Sequence, residues 1–172
     1  MATRADFSDE EWEVLVRTPL LACWAVIAAA PTGPIGMVTE LQAMLGAMSE
    51  TRRRAPAGSL VSALSASLRH RINQSELRVN ELPVEVVRLR AIEAAREATA
   101  LLVARGAQDE LAPYAGWIIE VAAQVAAATK ESGGLGAGSR VRPQESSLID
   151  ELKRALEPAP VDGSERPSEP SV

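Results

Sequence analysis

The chain reads as an all-α protein, a compact bundle of five to seven helices with no sheet. Three observations point there. Apolar residues recur at helical spacing through most of the 172 residues. No stretch alternates in the manner of a strand. Two passages, one in each half, share one layout: Trp24–Ala30, the turn Pro31–Gly36 and a run to Met48, against Trp117–Ala128, the turn Thr129–Gly134 and a run ending near Leu156. The repeat suggests two related helix–turn–helix halves.

Each element has its own start and stop signals. Ser8-Asp-Glu-Glu11 is a capping box, in which the Ser8 hydroxyl and the Glu11 carboxylate each take a backbone N–H. Trp12, Leu15, Val16, Leu20, Cys23, Trp24 and Ile27 then follow at helical spacing. Pro19 interrupts that stripe. It either starts a second helix, with Thr18 as cap, or kinks a single one by removing a ladder bond. Trp24 and Trp117 are expected in the core; lining a ligand cavity is the other reading of Trp12, Trp24 and Trp117. Pro34 suits the start of the next helix, whose buried edge is expected at Val38, Leu41, Leu45 and Met48, with Met37 and Met44 beside it. Arg52-Arg-Arg-Ala-Pro-Ala-Gly58 ends it. Ser59 caps a short helix carrying Val61, Leu64, Leu68 and Ile72, and residues 73–81 are a polar connection.

Pro83 opens a long helix with a narrow face of Val87, Ala91, Ala94, Ala95, Ala98, Leu101 and Leu102. Gly106 is placed to stop it in the left-handed conformation. From Asp109 to Ala128 the next helix puts Tyr114, Trp117, Ile118, Val121 and Val125 on one face. Gly133–Gly138 cannot sustain a helix. The last helix follows Pro143, with Leu148, Ile149, Leu152 and Leu156. The domain therefore covers 1–156, and the Pro/Ser/Glu composition of 157–172 predicts a disordered tail.

Aromatic residues make up only 3% of the chain, so its core is thin and alanine-rich, and its helices should pack closely. The net charge is −5, of which −3 belongs to the tail. A near-neutral body argues against nucleic acid as a partner. One cysteine and one histidine exclude an internal disulfide, a multi-cysteine metal site and paired-histidine zinc motifs. The longest unbroken apolar run, Leu20–Ala30, is eleven residues. A bilayer span needs roughly twenty, so no transmembrane segment is expected. The acidic N-terminus does not suit a secretory signal, and the expected location is cytoplasmic.

Candidate sites are few. The Gly133–Gly138 loop has the backbone freedom to cradle a phosphate. It lacks the P-loop lysine, since Ser139-Arg140 follow Gly138, and its glycine spacing does not match a dinucleotide fingerprint. A connector is the simpler reading. Arg52, Arg53, Arg54, Arg69 and Arg71 form a possible patch for an anion or an acidic partner, or else solvated charges near helix ends. Cys23 lies on the most apolar face and His70 on a more polar one, so no nucleophile–base pair is expected.

The two turns, Ala28-Ala-Ala-Pro-Thr-Gly-Pro-Ile-Gly-Met-Val-Thr-Glu40 and Ala126-Ala-Ala-Thr-Lys-Glu-Ser-Gly-Gly134 with Glu145 beyond, resemble those of the tellurite-resistance TerB-like helical domains. That resemblance implies an all-helical fold and a stress-related cation site, with Glu40, Glu131 and Glu145 as its carboxylates. The family's turn aspartate is replaced here by Pro31-Thr32 and by Glu131-Ser132, and Lys130 adds a positive charge. The chain also resembles uncharacterised bacterial helical proteins with the same Glu10-Glu-Trp12 start and Gly133-Gly-Leu-Gly136 loop. That second resemblance implies no function.

The leading expectation is a non-enzymatic interaction or assembly module that requires no cofactor, acting on a protein partner or on itself. The alternatives are a TerB-like metal-binding domain and a small-ligand binder or enzyme using Gly133–Gly138.

Overall fold

In the computed structural model the described residues are 2–29, 33–72, 82–132 and 143–158. They form six α-helices and no strand: α1 (Asp9–Ala29), α2 (Gly33–Arg54), α3 (Leu60–Ile72), α4 (Val84–Ala104), α5 (Leu111–Ser132) and α6 (Pro143–Ala155). Short 3-10 turns at Arg4–Asp6 and Gln108–Glu110 precede α1 and α5. The tail beyond Pro158 and the Gly133–Gly138 loop lie outside the described residues.

Local signals account for four of the helix ends. Ser8 N–H donates to Glu11 Oε2 at 2.8 Å, and Glu11 N–H donates to Ser8 Oγ at 3.2 Å, which closes the capping box of α1. Ser59 Oγ takes the Ser62 N–H at 3.3 Å at the start of α3. Pro83 caps α4, and Gly106 ends it with φ +67°.

α1 is the central element and contacts all five other helices. Its most extensive partner is α4, and α2 pairs most extensively with α5. The strongest packing therefore runs across the two sequence halves rather than within them. Ala22 and Ala25 of α1 and Ala91, Ala95 and Ala98 of α4 are all buried, small side chains that let packed helices approach closely.

α1 continues through Pro19, which settles the two readings of that residue in favour of a single helix. Proline has no N–H for the Leu15 carbonyl, one turn back. The Tyr114 hydroxyl of α5 donates to that carbonyl instead, at 2.9 Å, with both groups buried. Beside it, Thr18 Oγ1 lies 2.8 Å from the Val14 carbonyl and 3.2 Å from the Ala94 carbonyl of α4. Thr99 Oγ1 similarly lies 2.9 Å from Ala95 O and 3.3 Å from Ala155 O at the end of α6.

Two expectations about the core need correction. Leu45 is 38% exposed, because α2 turns Met44 and Ala47 inward together with the expected Met48, while the side chains of Val38 and Leu41 lie outside the described residues. Trp24 is only partly buried, packed against the core rather than inside it. The stretches Asp9–Ala29 and Gln108–Ala128 are long and apolar enough to cross a membrane. Counting unbroken apolar residues misses this, since isolated polar residues interrupt both. In this fold 61% and 44% of their apolar windows are buried in the bundle.

Candidate functional site

Where α2 ends, the chain turns away from α5. Ala55–Ser59 make the corner, and Gly58 takes φ +82°, a conformation that glycine alone adopts without strain. The corner leaves a half-open cleft of about 500 Å³ against the first three turns of α5. Val61, Pro113, Gly116 and Trp117 give it an apolar floor. Pro113 is tolerated in α5 because it falls in the first turn, where the N–H has no helical acceptor. Trp117 is 3% exposed and stacks edge-on against Tyr114, with ring centroids 6.2 Å apart. Its indole N–H is buried with no hydrogen-bond partner among the described residues.

The rim is charged. Arg54 Nε lies 2.9 Å from Glu50 Oε1, and Arg54 Nη1 lies 3.4 Å from Glu120 Oε1 across the cleft. Arg53 also pairs with Glu50, and these two guanidinium groups hold the Glu50 carboxyl below the usual carboxylate range. Asp109 is exposed at the other end. Glu110 beside it is buried, and its Oε1 takes the Ala2 N–H at 3.1 Å. The N-terminal strap is thus anchored at the cleft edge. Arg4 sits over the Trp12 ring at 5.1 Å, and Trp12 Nε1 donates to Ser67 Oγ at 3.2 Å.

Of the five arginines in the possible anion patch, Arg53 and Arg54 are both engaged with carboxylates in this corner. The side chains of Arg52, Arg69 and Arg71, and of His70 beside them, lie outside the described residues. So do those of Glu40 and Glu131. Glu145 is 1% exposed in the first turn of α6, where the helix dipole favours a carboxylate. Among the described residues no group of three or more His, Cys, Asp or Glu side chains gathers in a metal-binding arrangement. Cys23 is fully buried, and desolvation pushes its thiol up to about 12, which keeps it protonated and unreactive at neutral pH.

Sequence reading did not find this cleft. It singled out Arg54 in the possible patch and Trp117 on the face of the α5 helix, but nothing in the sequence brings the two together. One signal was available: Gly116 sits inside α5, where glycine is a poor helix former. No family model, characterised protein or solved structure matches the chain.

Proposed function

We propose that this chain is a non-enzymatic helical interaction module, which binds a partner protein through the cleft between the α2–α3 corner and α5. The cleft itself carries the reading. It combines an apolar floor with a charged rim, the anatomy of a binding surface. Two other reactive groups among the described residues are occupied structurally: the Tyr114 hydroxyl bonds the Leu15 carbonyl, and the Cys23 thiol is sealed in the core.

Affinity capture with the full chain tests this, run in parallel with a Gly116→Leu variant that fills the cleft from its floor. A partner bound by the wild type and lost by the variant, with the melting temperature maintained, supports the reading. Equal capture by both would refute it. Light scattering on the same two proteins shows whether the partner is a second copy of the chain.

A further inference from the structure

The charges round the cleft specify the chemistry of its occupant. Among the described residues three carboxylates, Asp109, Glu110 and Glu120, line it against one cation, Arg54. Arg54 is already shared between Glu50 and Glu120. Three helix ends abut the cleft: the C-terminus of α2 and the N-termini of α3 and α5. At about half a charge each, with opposite signs for the two kinds of end, they leave roughly half a positive charge in all. The cleft therefore stays negative, most strongly at the exposed Asp109. An acidic or phosphorylated segment would meet repulsion there, with Arg54 already committed.

The floor sets the other half of the occupant. A Cβ built on Gly116 meets nothing within 4 Å, so none of the described residues fills the space above it. Glycine weakens a helix interior, and nothing in the packing of the described residues calls for it here. An approaching side chain does call for it, since the missing Cβ lets an apolar group reach the floor beside Trp117.

We infer that the cleft takes a peptide segment of a partner protein in which a bulky apolar side chain stands next to lysine or arginine. The apolar group lies over Gly116 and the cation lies against Asp109. This rests on the reading of the cleft as an interaction site.

A random heptapeptide phage library selected on the full chain, with Gly116→Leu protein as counter-selection, tests the class directly. The enriched sequences should pair Lys or Arg with Leu, Ile, Phe or Trp. Synthetic versions should bind Asp109→Lys protein about ten-fold more weakly, and should weaken as salt rises from about 50 to 500 mM. If the selected peptides are acidic or uncharged yet still depend on Gly116, the cleft is an interaction site and the basic-apolar class is wrong. If no peptide distinguishes wild type from Gly116→Leu, both readings fall. Should Gly116→Leu fail to fold, the counter-selection runs on Ala112→Trp, an exposed change that also fills the cleft, with the same outcomes.

Discussion

Tyr114 and Pro19 belong to one device. Proline leaves the Leu15 carbonyl without its helical donor, and Tyr114 supplies one from another helix. Tyr114→Phe therefore leaves a buried carbonyl unsatisfied, at a cost of about 1–3 kcal/mol. In a Pro19→Ala background the restored N–H can serve that carbonyl, and the same change should cost less than about 1 kcal/mol. Denaturant melts of the four proteins check this. Equal costs in both backgrounds would show that the tyrosine does not replace the missing rung. The sequence reveals the gap at Pro19 but not its filler, because the donor stands 99 residues from the carbonyl it serves.

Cys23 gives a second test at this scale, in alkali. Burial raises its pKa, so the neutral thiol is the form the fold favours. Its contribution is complete below the unfolded thiol's pKa of about 8.5, and is lost as pH rises toward the folded value. At pH 10 that loss is about 2 kcal/mol. Stability of the wild type should fall between pH 8 and 10, and Cys23→Ala should flatten the slope over that interval. Parallel slopes would mean that the thiol is not the group responsible.

At the level of the helix, three glycines separate turn chemistry from surface design. Gly106 has φ +67° and open space at its Cβ position, so Gly106→Ala costs only backbone strain, about 1–2 kcal/mol. Gly46 and Gly116 lie inside α2 and α5 with equally open space, and alanine at either should stabilise the chain by about 0.5–1 kcal/mol. Thermal melts of the three variants check the signs. A destabilising Gly116→Ala would mean that the cleft floor is already filled. The helix stop at Gly106 is legible in the sequence because an isolated glycine after a long periodic run has one common role. The inward face of α2 is not, because Met44, Leu45 and Met48 are all apolar and only the packing against α5 selects among them. The cleft is harder still, since its lining comes from α2, the corner, α3 and the start of α5.

Across the whole molecule, ion pairs tie helices together round the alanine-rich core. Glu11 joins α1 to Arg105 at the end of α4, Arg17 joins α1 to Glu97, and Arg88 joins α4 to Glu151 of α6 at 2.7 Å. The pairing of α1 with α4 and of α2 with α5 was not legible, because alanine faces fit several neighbours equally well. The carboxyls of Glu11 and Glu151 lie below the usual carboxylate range. For Glu11 the Ser8 N–H is the main cause and Arg105 the next, and for Glu151 the main cause is Arg88. Depressed carboxyl pKa values contribute stability above the unfolded value, and that contribution is lost as pH falls through the folded value. The melting temperature should therefore hold steady near neutrality and decline below about pH 4. There the 18 lysines and arginines lose their counter-charges and repel one another. The helices are rich in alanine, leucine, glutamate and arginine, strong helix formers that depend little on the ion pairs. Near-UV circular dichroism from Trp117 and Tyr114 should vanish on acidification while far-UV helicity largely persists, the mark of a compact but loosened bundle. Loss of both signals at one pH would instead show that the helices exist only while the bundle is closed.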